Sequence, residues 1–196
     1  MIDVVKSDQF EKWFRQLRDI RARARIDARI FRLSLGNPGD VRPVGSGVSE
    51  LRIDYGPGYR VYFAQHGETI AVLLCGGGKT TQRDMSDLPS RLRGYGRTST
   101  MKTGFSKYGV TDHLKTGEET IAFLEACFEE AGDDAAFIAA ALGEIARAHG
   151  MAEVAAATGL TREGLYKTLS KDGNPSLSAV LKVMKALGLK LKPEAA

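Results

Sequence analysis

The stretch Glu50-Leu-Arg-Ile-Asp-Tyr-Gly-Pro-Gly-Tyr-Arg-Val-Tyr-Phe63 consists of two short runs in which apolar and polar residues alternate, separated by a turn. Alternation with a period of two is typical of strands, and Tyr55-Gly-Pro-Gly58 supplies turn residues. The stretch therefore predicts a hairpin of two antiparallel strands. Its register of alternation places Arg52 and Arg60 together on the polar face of that hairpin.

Two helical patterns precede the hairpin. Phe10, Trp13 and Leu17 repeat at helical spacing behind a capping box of Asp8 and Glu11. If residues 18–35 form one helix, five arginines fall within a sector of about 80°. They are Arg18, Arg21, Arg25, Arg29 and Arg32. This basic stripe is either a solvated face or a surface for RNA phosphates or an acidic partner, and the dominance of Arg over Lys favours binding.

The hairpin is followed by an apolar run, Ile70 to Cys75, that is typical of a central strand and continues into Gly76-Gly-Gly-Lys79. ATP binding is excluded, because no Gly stands five residues before Gly78 as a P-loop requires. Arg52, Arg60 and Lys79 without a paired histidine or carboxylate suit electrostatic stabilisation of a phosphorane-like transition state. The alternative is that the three are scattered surface charges.

The chain changes character at Tyr95-Gly-Arg-Thr-Ser-Thr100. Before Met101 there are 17 Lys and Arg against 11 Asp and Glu, and from Met101 onward there are 11 against 13. A cationic module followed by a mildly acidic one suggests a nucleic-acid-directed activity joined to its own neutralising partner.

The second half predicts helices throughout. Thr116 and Glu119 form a capping box, and apolar spacing then indicates helices that end near Gly132 and Gly150. Val154, Gly159 and Leu165 have the spacing of a helix-turn-helix. Thr161 would cap its recognition helix, whose exposed residues would be Arg162, Glu163, Tyr166 and Lys167. The alternative is a purely structural helical hairpin. A last stripe, Leu177, Val180, Leu181, Met184 and Leu187, is predicted to face the core.

Composition and targeting signals favour a cytoplasmic protein. With 43% apolar and 27% charged residues, neither half is expected to be disordered throughout. No apolar run approaches the roughly 18 residues that span a membrane, and the N-terminus lacks the apolar region of a signal peptide. Cys75 and Cys127 are expected to be reduced core thiols, because they have no metal-ligand spacing. We therefore expect no metal and no cofactor.

The first half resembles RelE/HigB-type toxins of the addiction-module killer group. The resemblance is carried by Glu50 to Phe63 and by Leu73-Leu-Cys-Gly-Gly-Gly-Lys-Thr-Thr-Gln82, and it covers roughly residues 1–97. It implies an α+β fold in which two helices pack on a small antiparallel sheet. It also implies ribosome-dependent mRNA cleavage, in which the ribose 2′-hydroxyl attacks the phosphate.

The resemblance further implies roles for single residues. Arg52 and Arg60 would hold and neutralise the scissile phosphate, and Lys79 would assist proton transfer or charge stabilisation. Tyr95 lies near the position of a catalytic tyrosine in some relatives, or it belongs to the linker. Gly78 stands where the group often has an acidic residue. The basic stripe, and not the resemblance, supplies the candidate RNA-binding residues, which are Arg21, Arg25 and Arg29.

The second half resembles addiction-module antidote proteins of the HigA-like, Xre-type helix-turn-helix class. The residues that carry this are Tyr108 to Leu114, Ala141 to Arg147 and Leu160 to Pro175. The chain is thus expected to hold a toxin domain at 1–97, a linker at 98–104 and an all-α antitoxin at 105–196, with its helix-turn-helix at about 151–170.

The combined expectation is a toxin–antitoxin module in one chain. The toxin half would act on the ribosome and mRNA, and the antitoxin half would neutralise it and bind operator DNA as a homodimer. Neutralisation could occur within one chain or between two. The alternatives are a catalytically silent DNA-binding repressor and a ParE-like gyrase poison with its antitoxin.

Overall fold

A computed structural model of the protein describes residues 2–45, 47–66, 70–78, 104–131 and 133–192. The chain divides into two compact units, Met1–Gly109 and Val110–Ala196. The first combines helices with a sheet and the second is helical, in agreement with the mixed α and β fold expected from the sequence.

In the part of the first unit that the structure describes, there are a six-stranded sheet and two helices. The strands are β1 (Asp3–Ser7), β2 (Val41–Gly45), β3 (Val48–Ile53), β4 (Tyr59–His66), β5 (Ile70–Gly78) and β6 (Phe105–Lys107). Helices α1 (Asp8–Gln16) and α2 (Ile20–Ser34) lie between β1 and β2 in the chain. The sheet order is β2-β3-β4-β5-β1-β6. Neighbouring strands are antiparallel except β1 and β5, which are parallel.

The sheet is mainly antiparallel, as expected, and the parallel pair of β1 and β5 is an addition that the sequence pattern did not predict. The sequence pattern did not predict β1, because five residues directly before a helix are too few to show clear alternation. The cap of α1 also differs from the predicted one. Ser7, not Asp8, is the N-cap residue, and its hydroxyl accepts a hydrogen bond from the Phe10 backbone at 3.1 Å. Asp8 instead lies in the first turn of α1, where its negative charge interacts favourably with the helix dipole and stabilises the helix.

The hairpin of β3 and β4 has the predicted register. Leu51 pairs with Val61 and Arg52 with Arg60, across a turn in which Gly56 and Gly58 have φ of 56° and 75°. One face of the sheet contacts the helices, because the Trp13 ring of α1 lies directly against the backbone of Gly76, the β5 neighbour of Val61. The alternating residues, including Arg52 and Arg60, therefore lie on the opposite face.

Over residues 110–131 and 133–192, the second unit contains a short 3₁₀ helix and five α-helices. They are Val110–His113, then α3 (Gly117–Ala131), α4 (Ala135–His149), α5 (Met151–Thr158), α6 (Arg162–Thr168) and α7 (Leu177–Ala186). Its core includes the fully buried Phe123, Leu142, Ile145 and Leu165. The predicted capping box before α3 is confirmed: the Glu119 backbone donates to the Thr116 hydroxyl, and the Thr116 backbone donates to the Glu119 carboxylate.

The last helix departs from its predicted packing. Leu177 and Leu181 are 66% and 45% exposed, whereas Val183 and Met184 are buried. The buried sector of α7 is therefore rotated and narrower than the apolar stripe suggested. Among the described helices, none has both the length and the apolar composition needed to cross a membrane. Cys75 and Cys127 are buried thiols, as expected.

Candidate functional site

The charged face of the β3–β4 hairpin brings two of the predicted site residues together. Arg52 and Arg60 are direct cross-strand partners, so their side chains leave the sheet on the same face. Glu50 and Tyr62 form the adjacent cross-strand pair on that face. The four residues define the arginine cluster: Glu50, Arg52, Arg60 and Tyr62.

Glu50 is the centre of the arginine cluster. Its Oε1 accepts a hydrogen bond from Arg52 Nε at 3.0 Å and lies 3.4 Å from Arg60 Nε. Its Oε2 accepts a hydrogen bond from the Tyr62 hydroxyl at 3.0 Å. Glu50 is 1% exposed, whereas the Arg52 and Arg60 side chains are 32% and 13% exposed. One buried carboxylate thus orients two more accessible guanidinium groups.

The electrostatics of the cluster explain why a buried carboxylate is tolerated. Like charges that face each other across two strands repel, and Glu50 compensates one of the two positive charges. Burial raises the pKa of Tyr62, and the hydrogen bond to Glu50 raises it further. Tyr62 therefore stays protonated at neutral pH and acts as a hydrogen-bond donor. The cluster keeps a net charge of about +1.

The Arg60 side chain is more buried than that of Arg52. Its Nη1 donates to the backbone carbonyl of Tyr59 at 2.9 Å. Within the described part of the chain, its Nε is a buried donor that lacks a hydrogen bond. A fixed guanidinium pair with donor capacity can bind and polarise a phosphate. It supplies no general base.

The other two predicted catalytic residues, Lys79 and Tyr95, lie outside the described residues. Sequence reasoning missed Glu50 and Tyr62, because alternation assigned Glu50 to a solvated polar face. The signal was present in the pattern Glu-x-Arg on one strand and Arg-x-Tyr on its partner. In an antiparallel register these place a carboxylate opposite a phenol and an arginine opposite an arginine.

The basic stripe on α2 is less uniform than predicted. The helix begins at Ile20, so Arg18 precedes it, and Asp19 caps it by accepting from the Arg21 and Ala22 backbones. Arg21 is exposed, and the Arg25 guanidinium lies 4.6 Å from the centre of the Tyr55 ring. Arg29 is 4% exposed and donates to the Asp40 carbonyl at 2.8 Å, which fixes the loop before β2. RNA binding by Arg21, Arg25 and Arg29 stays a prediction.

Two short helices of the second unit carry the other predicted surface. Helix α5 ends at Gly159, whose φ of 71° is left-handed, and α6 begins after Thr161. The Thr161 hydroxyl accepts from the Gly164 backbone at 3.0 Å, as the sequence predicted for a cap. Leu165 is fully buried. The four expected surface residues, Arg162, Glu163, Tyr166 and Lys167, are all exposed.

Comparisons with known proteins find one family match and two relatives. A family described as "Probable addiction module antidote protein" matches residues 104–195. An uncharacterized protein of Haemophilus influenzae strain Rd is 51% identical over 73 residues, which are 37% of this chain and 74% of that protein. A second uncharacterized protein of that strain is 45% identical over 85 residues, or 43% of this chain and 86% of its own length. No solved structure matches the chain.

Proposed function

Because residues 104–195 belong to the family of probable addiction module antidote proteins, we propose that the chain is a toxin followed by its own antidote. An antidote family implies a toxin partner. The first half is the candidate, because it is cationic, precedes the antidote directly and presents a paired-arginine face. The opposite charge balance of the two halves supports their mutual recognition.

The proposed activity of the first half is cleavage of mRNA on the ribosome. Arg52 and Arg60 bind the scissile phosphate and neutralise the charge that develops as the ribose 2′-hydroxyl attacks it. Glu50 and Tyr62 orient the two guanidinium groups. Lys79 assists charge stabilisation or proton transfer, and Tyr95 is a further candidate. The ribosome orients the substrate, since the cationic set of Arg52, Arg60 and Lys79 lacks an acid–base pair of its own.

The observation that carries this proposal is the Arg52–Arg60 pair fixed by buried Glu50. The test is a reconstituted translation reaction with residues 1–97, in which cut mRNA ends are mapped by primer extension. Arg60→Ala should lower the cleavage rate by about a hundredfold. Arg15→Ala is the matched control, since that side chain is 77% exposed on α1, and it should leave the rate unchanged.

Four results, from this reaction and from a parallel gyrase assay, separate the competing functions. Equal cutting of naked RNA would refute the dependence on the ribosome. A folded Arg60→Ala variant with full activity would remove Arg60 from the site. Gyrase inhibition without mRNA cleavage would identify a ParE-like poison. The absence of both activities would favour the catalytically silent repressor.

DNA binding by the antidote half is a second proposed function, supported by the capped and exposed face of α6. Arg162 reads a guanine edge, Lys167 contacts a phosphate, and Thr161, Glu163 and Tyr166 border them. A dimer of the chain would place two such helices in successive major grooves of a palindromic operator in its own promoter. This arrangement lets the module repress its own transcription.

A gel-shift titration with operator and scrambled duplexes tests this function. Arg162→Ala should reduce the preference for operator by about 1 to 3 kcal/mol. Lys167→Ala should instead weaken binding to both duplexes alike and flatten the salt dependence. Equal affinity of the unmutated chain for the two duplexes would exclude specific DNA recognition.

A further inference from the structure

Strand β6 belongs to two parts of the molecule at once. The match to the antidote family begins at residue 104, whereas the first compact unit extends to Gly109. Residues 104–109, here called the docking segment, are therefore the first residues of the antidote and also part of the toxin's sheet. The domain boundary drawn from the sequence, with a linker at 98–104 and an antitoxin from residue 105, places residues 105–109 with the second half.

The backbone of the docking segment extends the sheet beyond β1. Phe105, Ser106 and Lys107 pair antiparallel with Ser7, Lys6 and Val5. The Tyr108 backbone donates to the Val4 carbonyl at 2.9 Å, and the Asp8 backbone donates to the Gly104 carbonyl at 3.1 Å. The last bond also satisfies a first-turn amide of α1 that has no partner within its helix. Without the segment, β1 would be an edge strand with open hydrogen-bonding groups.

Tyr108 anchors the docking segment by its side chain. It is 6% exposed, and its hydroxyl donates to the carboxylate of Asp27, which is 3% exposed on α2. The Phe10 ring lies 6.0 Å from the Tyr108 ring in an edge-on arrangement, and Lys6 Nζ lies 5.8 Å from the ring centre. A buried tyrosine with a bonded hydroxyl is typical of residues that dominate binding energy at interfaces.

From these contacts we infer that the antidote binds its toxin by adding residues 104–109 as a strand beside β1, with the buried Tyr108 side chain as the anchor. The toxin surface that binds the docking segment consists of the edge of β1 and the side chains of Phe10 and Asp27, which contact Tyr108. The inference rests on the proposed division into toxin and antidote. The binding contact it describes is separate from the arginine cluster, since β5 and β1 lie between β4 and β6 in the sheet.

The separation gives the docking segment a defined role. It does not cover Arg52 or Arg60, so it acts as a tether that keeps the rest of the antidote at high effective concentration near the toxin. Main-chain pairing supplies affinity in this mode of recognition, and the anchored side chain supplies register and specificity. A change in the segment should therefore alter how long the two halves stay together.

The test uses the full chain with a protease recognition sequence inserted between Thr98 and Ser99. After cleavage under native conditions, a tag at the C-terminus retains the antidote, and release of the toxin half is followed over time. Unmutated halves should stay together. Ser106→Pro, which cannot maintain strand pairing, and Tyr108→Ala should each speed release by at least about tenfold. Tyr108→Phe, which removes only the hydroxyl, should speed release several-fold.

Matched controls isolate the two contacts. Ser106→Ala keeps the backbone amide and Leu191→Ala changes an exposed apolar residue of the second unit, so both should release at the unmutated rate. Amide hydrogen exchange of residues 3–7 in the uncleaved Tyr108→Phe chain should be faster than in the unmutated chain, which tests the contact in a chain that stays intact. Unchanged exchange would overturn the anchoring role of Tyr108.

The outcomes also distinguish this inference from the proposed function. Prompt dissociation of the unmutated halves, or release of Ser106→Pro at the unmutated rate, would overturn the docking role even if the freed half cuts mRNA. Accelerated release of a half that leaves translation untouched would support the docking role and refute the toxin activity.

Discussion

At the scale of single residues, Glu50 shows how one carboxylate can fix a charged site. It lies between two arginines that face each other across β3 and β4, and it accepts the Tyr62 hydroxyl. The sequence predicted that Arg52 and Arg60 would be neighbours, because strand alternation and a short turn determine their register. It could not predict the burial of Glu50, since strand alternation assigns a residue to a face of the sheet but does not tell whether that face is covered.

Removal of the Glu50 carboxylate should destabilise the first unit. Glu50→Ala leaves two facing guanidinium groups without a counter-charge and the Tyr62 hydroxyl without its acceptor, so we expect a loss of about 2 to 4 kcal/mol. Urea unfolding of the full chain followed by the fluorescence of Trp13, its single tryptophan, measures this. Asp3→Ala is the control, because its ion pair with Lys107 is 4.0 Å long and highly exposed. Equal midpoints for the two variants would contradict the role of Glu50.

A second residue, Glu11, gives the first unit a dependence on acid. Burial raises its pKa, but hydrogen bonds and charges from Lys6 and Arg15 outweigh this effect and leave the pKa below the ordinary value of 4.5. A lowered pKa contributes stability above pH 4.5 that is lost as the pH falls through the folded-state value.

Glu11→Gln should therefore flatten the acid dependence of stability. The loss of unfolding free energy between pH 7 and about pH 3 should be smaller in this variant than in the unmutated chain, since Gln does not titrate. Trp13 fluorescence in urea at both pH values measures the difference. An acid dependence as steep as that of the unmutated chain would show that Glu11 is not responsible.

At the scale of elements, the strongest sequence patterns located the helices and the hairpin, whereas local competition decided their ends. Ser7 replaces Asp8 as the cap of α1, because the hydrogen bond from Phe10 requires a side chain one residue earlier. On α7, apolar spacing placed Leu177 in the core, but its side chain is 66% exposed. A local hydrogen bond decides the cap of α1, whereas the burial of α7 depends on tertiary contacts that a helical period does not specify.

Helix α4 provides a test of packing against propensity. Gly143 lies within this helix, and a Cβ there would collide with the Leu169 carbonyl oxygen. Alanine is favoured over glycine in a helix by about 1 kcal/mol, while overpacking costs typically 1 to 3 kcal/mol. Gly143→Ala should therefore lower the melting temperature of the helical unit, followed by circular dichroism.

Gly117→Ala is the control for this change, because nothing lies within 4 Å of the Cβ position at that glycine. It should be neutral or slightly stabilising. A Gly143→Ala variant as stable as the Gly117→Ala variant would mean that α4 and the end of α6 move apart without penalty.

At the scale of the whole molecule, charge and order along the chain predicted two unlike units, and two compact units are present. The point of division could not be predicted, because three residues of β6 have too little pattern to indicate the strand with which they pair. Strands β1 to β5 and strand β6 of the docking segment belong to one sheet. In the sequence, 25 residues separate the end of β5 from the docking segment.

The full chain should be far less toxic to growing cells than residues 1–97 alone. Its antidote half carries the acidic residues of α3 that can face a cationic partner, namely Glu118, Glu119, Glu125, Glu129 and Glu130. Tethering adds a high effective concentration. Growth after induction of each chain, at matched protein levels, measures the difference. Equal growth arrest by the two would contradict neutralisation within the fusion.

The position of the docking segment also affects the order of events during synthesis. Domains fold from the N-terminus as a chain is made, at about 5 to 20 residues per second, so residues 79–109 follow β5 within roughly 2 to 6 s. The six residues that complete the sheet at β1 are the first of the antidote to leave the ribosome. The docking segment would thus bind the newly made toxin half before the helical unit has been synthesised. Both are then still attached to the ribosome, which is the proposed site of the toxin's action.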